Sequence, residues 1–178
     1  VLFYTKSAGD VHQDFLDGVF RAEPPMSADE QKEAFESALT SALADSCRLE
    51  VVQAIHEQLR EKIEAHRENK DPDAPSVTAG EVEDILLRQG VSEEEASAFR
   101  AQCQERFGEN AVLNPENLID SKRFQVKAGE VTVSVDPASS YLVETRMIDG
   151  VKYLLIPSGN AVEVNGLPVS VGGEAPEE

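Results

Sequence analysis

Tryptophan is missing from this chain, and its aromatic complement stops at 7 Phe and 3 Tyr. Any core must therefore be mostly aliphatic. Cysteine is almost absent as well. Cys47 and Cys103 fall in separate helical segments without C-x-x-C spacing; a secreted protein of this size can hold one disulfide, but two isolated, helix-borne cysteines suit a reducing, cytoplasmic setting better. Positive charge is scarce: 16 Lys and Arg stand against 34 Asp and Glu, for a net charge of -18. The deficit runs along the whole chain, with 8 basic against 16 acidic residues in 1–75, 3 against 8 in 76–110 and 5 against 10 in 111–178. A field of that sign repels nucleic-acid phosphates and anionic lipid, and favours solubility or a basic protein partner. No apolar run approaches the roughly 18 residues of a membrane span, and no N-x-S/T glycan acceptor occurs.

What is present is enough for a folded protein. The 178 residues have room for one large or two small domains. At 40% hydrophobic and 28% charged, the composition is that of a globular chain. Val1–Lys6 (VLFYTK) has the apolar, β-branched and aromatic content of a strand. Asp10 suits the N-cap of a short helix carrying Val11, Phe15 and Val19 on one face, and Pro24-Pro25 breaks the chain. Because the strand-like run opens the sequence at Val1 rather than Met, the expectation is a fragment whose upstream part is missing.

Helix signals dominate the next stretch. Ser27-Ala-Asp-Glu30 is a capping box, and Ala34, Phe35, Ala38, Leu39, Ala42 and Leu43 form one stripe behind it. A second stripe of Leu49, Val52, Ile55, Leu59 and Ile63 follows, with Glu57, Arg60, Glu61, Lys62 and Glu64 on the opposite face. These two helices are expected to pair antiparallel. NKDPDAP, with its two prolines, reads as a linker. Thr78-Ala-Gly-Glu81 and Ser92-Glu-Glu-Glu95 repeat the capping logic, with Val82, Ile85 and Leu86 inward on the first helix and Ala96, Phe99, Cys103 and Phe107 inward on the second. Gly90 and Gly108 end them.

From Phe124 the hydrophobic period changes to two. Val131, Val133 and Val135 alternate with Thr132 and Ser134. The spacing predicts strands over Tyr141–Ile148 and Val151–Ile156 joined at Asp149-Gly150, and over Val162–Val164 and Leu167–Val171 joined at Asn165-Gly166. Pro157 and Pro168 mark strand ends or edges. The expected fold class is α+β, a helical N-terminal two-thirds followed by a small antiparallel sheet rich in β-hairpins. The expected organisation is a short strand plus helices over 1–69, a linker at 70–75, a helical hairpin over 76–110, an antiparallel β region over 111–171 and a disordered tail at 172–178.

Motifs of known chemistry fail on specific residues. His56-Glu-Gln-Leu-Arg60 begins like the zinc-protease helix H-E-x-x-H, but Arg60 stands where the second imidazole must face the metal; His56 reads as a surface histidine in a charged helix. Asp71-Pro-Asp73 lacks the glycine and the closing glutamate of a calcium loop. The helix–Gly90-Val91-Ser92–helix unit has the length of a helix-turn-helix, yet Glu93, Glu94 and Glu95 would oppose DNA where its second helix meets phosphates. Nucleophile elbows and phosphate loops are absent. No catalytic residue, cofactor site or metal site is assigned. One polar constellation is singled out: Glu144 and Arg146, two apart on one strand, share a face and can form a salt bridge or line a polar groove.

Taken together, VLFYTK, EPPMSADEQKEAFESAL, EVVQAIHEQL, GVSEEEASAFRAQCQERFG, LVETRMIDGVKYLLIP and VEVNGLPV resemble the bacterial family catalogued as domain of unknown function 4317. The resemblance spans nearly the whole chain and corresponds to the C-terminal part of the family's longer members. It implies a truncated, bacterial, cytoplasmic protein, and it transfers no functional residue. The functional expectation is a non-catalytic interaction or architectural module of a larger bacterial protein. Its partners are proteins, including the upstream part of its own chain, rather than nucleic acid or membrane. The alternative is part of an enzyme or ligand-binding protein whose site is completed by upstream sequence.

Overall fold

The computed structural model describes residues 26–70, 72–158 and 162–171. The Val1–Lys6 strand, the helix begun by Asp10, the Pro24-Pro25 break and the 172–178 tail lie outside the described residues. The rest is α+β. Five helices come first: α1 (Ala28–Leu43), α2 (Leu49–Asn69), α3 (Ala79–Arg88), α4 (Glu93–Phe107) and the single turn α5 (Pro115–Leu118). Two-residue strands β1 (Val77–Thr78) and β2 (Val112–Leu113) clamp the α3–α4 unit at its open end, Val77 opposite Leu113.

Local chemistry sets the helix ends. Ser27, Thr78 and Ser92 each accept an amide hydrogen bond from the glutamate three residues on, whose carboxylate accepts the cap's own N–H in return. Past α3, Gly90 takes φ +75°. The Val91 amide then donates to the Leu86 carbonyl at 3.1 Å and the Gly90 amide to Leu87 at 3.1 Å, a Schellman closure that buries Val91.

One apolar cluster unites residues on both sides of positions 70–75, from Phe35 and Leu43 through Val51 and Leu59 to Leu86, Phe99 and Leu118. Phe35 meets Phe99 edge to face at 5.7 Å. The expected α1–α2 antiparallel pair is not the organising contact. α1 lies chiefly against α4 and α5, while α2 lies against α3, α5 and the strand region. The α2 stripe is also rotated from its expected position. Val51, Ile55, Leu59 and Ile63 are buried at strict four-residue steps, whereas Val52 is 37% exposed. A four-residue step drifts by about 40° per repeat, so the buried seam turns along α2 from one neighbour to the next. Cys47 is not helical. It follows the 3-10 turn Ala44–Ser46, while Cys103 is buried on α4, and both thiols are free.

The C-terminal region is a chain of separate two-stranded ladders rather than one sheet. β3 (Phe124–Ala128) pairs with β4 (Val131–Val135), β5 (Glu144–Ile148) with β6 (Val151–Leu155), and β7 (Val162–Val164) with β8 (Leu167–Val169). At the second and third turns, Asp149-Gly150 and Asn165-Gly166 hold positive φ at both positions, as type I′ geometry requires. The expected strand start at Tyr141 is replaced by a 3-10 segment, Pro137–Leu142. There the Asp136 carboxylate accepts the Ala138 amide and Pro137 presets the first turn, which overrides the β preference of Tyr141 and Leu142. Gln53 of α2 anchors this segment, its side-chain amide donating to the Ser140 carbonyl at 2.6 Å and to the Val143 carbonyl at 2.9 Å.

Candidate functional site

The largest concavity described is a groove of about 580 Å³ with three walls. α1 supplies Lys32, Phe35, Glu36 and Leu39, spaced as one helical face. α2 supplies Leu49, Val52, Ile55 and His56, so the apolar residues that rotate off the core seam turn toward the groove. The third wall is Leu118 to Asp120, Arg123 and the first residues of β3, Phe124 to Lys127. Cys47 also lines it.

His56 is the central polar group. Its ring meets Phe124 edge-on at 5.2 Å and 89°. Burial pushes its pKa below the ordinary 6.5, against the nearby Asp120 carboxylate, with Arg60 adding to the downward push. The imidazole is therefore neutral at neutral pH, a donor at one nitrogen and an acceptor at the other. Asp120 is held below the usual carboxylate range, first by accepting the Lys122 amide at 2.9 Å, with Arg123 at 3.6 Å contributing. Lys32 and Glu36 lie 4.0 Å apart along α1. Burial raises the Cys47 thiol, so it stays protonated and is a poor nucleophile.

The expectation of a surface histidine at position 56 is thereby corrected. Arg60, the residue that spoils the zinc-helix pattern, turns to Glu64 and meets both its carboxylate oxygens at 2.7 and 2.8 Å. His56 instead shares a face with Leu49 and Val52, a spacing of three and four residues that is visible in the sequence. Among the described residues no group of three or more His, Cys, Asp or Glu is placed to hold a metal ion.

Glu144 and Arg146 lie on β5, exposed, with Arg146 Nη2 3.2 Å from Glu144 Oε2. They line none of the concavities described here. Thr145, between them, points the other way and donates to Glu50 of α2 at 2.8 Å, so strand alternation sends the ion pair to the face away from the helices. In the α3–α4 unit Glu95 is consumed by its cap and lowered first by a hydrogen bond from Ser46, while Glu93 and Glu94 remain exposed at the head of α4. No helix among the described residues is long and apolar enough to cross a membrane.

Neither the curated proteins nor the solved structures include a match to the chain. The family model described as Domain of unknown function (DUF4317) matches residues 1–167, nearly the whole length, and the chain belongs to that family.

Proposed function

We propose that the chain is a non-catalytic interaction or architectural module, the C-terminal part of a larger cytoplasmic protein of bacteria, and that its hairpin-rich end receives an extended segment of a protein partner. One observation carries this reading. Large apolar side chains in β5 to β8 face water: Met147 is 60% exposed, Leu167 68% and Val164 53%, with Ile148, Val151 and Tyr153 also exposed. Scattered exposed apolar residues are ordinary, but their concentration on two successive hairpins supports an interaction surface. Each ladder has only two strands, so each keeps unpaired backbone donors and acceptors along its edges. Strand addition satisfies those groups and covers the apolar faces together. Pro168 removes a donor from β8, so β5 and β6 are the better edge. The carboxylate excess supports a protein partner over nucleic acid.

Photo-crosslinking tests this reading. A photoreactive phenylalanine at position 153 or 167, in the protein made in its native host, should join it to one discrete partner segment, while the same group at the exposed positions 61 and 105 of the helices should not. Equal yields from all four positions, or none from 153 and 167, contradict it.

The alternative, part of an enzyme or ligand-binding protein whose site is completed by upstream sequence, draws support on its ligand-binding side from the groove around His56.

A further inference from the structure

We propose that the groove between α1, α2 and β3 binds a small amphiphilic carboxylate, its apolar chain along the apolar lining and its carboxylate at Lys127. The inference does not depend on the hairpin reading; it names a ligand class for the ligand-binding alternative.

The floor is apolar, with Phe35, Leu39, Val52, Ile55 and Phe124 among its lining. A volume of about 580 Å³ lies inside the range of small-molecule sites, roughly 300–1,000 Å³. The charges around it run against the rest of the protein. Basic residues are 16 of the 50 charged residues in the chain (16 + 34). In the groove they are three of five: Lys32, Arg123 and Lys127 against Glu36 and Asp120. The two carboxylates are engaged by cations of the same wall, Glu36 by Lys32 at 4.0 Å and Asp120 by Arg123 at 3.6 Å. Lys127 has no ion pair among the described residues and leaves the groove with one uncompensated positive charge. A chain carrying -18 repels anions over most of its surface, so a local reversal beside an apolar trough selects where an anion with an apolar body can settle. Neutral His56 adds one hydrogen-bonding group without adding charge.

Calorimetric titration of the full chain with decanoate at pH 7.5, with decanol as the uncharged comparison, tests this. Decanoate should bind saturably at one site, and tighter than decanol. Lys127→Gln should weaken decanoate by about tenfold, the scale of one lost charge-assisted hydrogen bond, and leave decanol unchanged. Val52→Trp, at a position that is 37% exposed, should fill the trough and abolish both. Decanoate should also slow alkylation of Cys47, which lines the groove, while circular dichroism confirms that every variant remains folded. Equal affinity for decanol, an unaltered affinity in Lys127→Gln, or unprotected Cys47 overturns the proposal. Binding that emerges only after residues 1–25 are removed also overturns it, and assigns the groove to the chain's own N-terminal segment.

Discussion

From Ser27 to Leu118 most large apolar side chains are buried, with Leu43, Leu59, Leu86 and Phe99 all at 0% exposure; from Val131 onward most of them touch water. The two regions contain similar side chains and differ in what their backbones allow. A helix satisfies its own backbone and presents one stripe, so α1 to α4 can close their stripes on one another around a shared cluster. A two-stranded ladder has two faces and two open edges, and at three to five residues per strand it cannot cover them itself. The exceptions are informative. Phe124 and Val143 are the large apolar residues buried in the C-terminal part, and each sits where a ladder touches the helices: Phe124 against His56, and Val143 beside the carbonyls that Gln53 holds.

The contrast can be broken most directly in the core. Phe99→Ala should cost about 3–5 kcal/mol in urea denaturation, the range for emptying a buried aromatic site, whereas Tyr153→Ala should stay within about 0.5 kcal/mol. Equal costs would mean that the hairpins share the helical core. Gln53→Ala removes the donor to two carbonyls and should cost about 1–3 kcal/mol. It should also sharpen the contrast, raising amide exchange in β5 and β6 while leaving α3 and α4 unchanged.

Acid titration should lower the stability of the helical half in two steps, one at the histidine and one at the carboxylates. His56 has its pKa lowered in the folded state, so its contribution is fully present above 6.5 and is lost as pH falls below that value toward the folded pKa. Stability should therefore decline first below pH 6.5, and His56→Gln should flatten that limb. Glu81 and Glu95 are also lowered, Glu81 because Lys62 at 2.7 Å and its own cap outweigh the upward push of burial. Their contributions fade only below the ordinary carboxylate value of 4.5. Both limbs should be visible in Tm against pH for the helical half. The smallest effect expected is at Glu144→Gln, less than about 1 kcal/mol, because an exposed ion pair on an open face contributes little.

Features specified by neighbours in the chain were legible in the sequence. The three capping boxes, the Gly90 stop and both type I′ turns depend on residues a few positions apart, and each is found where its side chains predict. Features specified across the chain were not. The pairing of α1 with α4 depends on Phe35 meeting Phe99, and β1 meets β2 across more than thirty residues. The 3-10 turn at Pro137 won over strand propensity through one Asx cap. The groove fell between these cases. His56 was conspicuous for a metal pattern it does not complete, while its spacing from Leu49 and Val52 carried the information that mattered. Glu144 and Arg146 were placed correctly on one strand face, but which face met the helices was set by Thr145 and Glu50, 95 residues apart.

The helical half closes on its own apolar cluster, whereas the hairpin-rich end is proposed to be covered by a partner. Native-state hydrogen exchange on the chain alone measures this element by element. Amides of α2 and α4 should exchange only through global unfolding, and those of β5 to β8 should exchange orders of magnitude faster. Protection in β5 to β8 equal to that of α4 would contradict it.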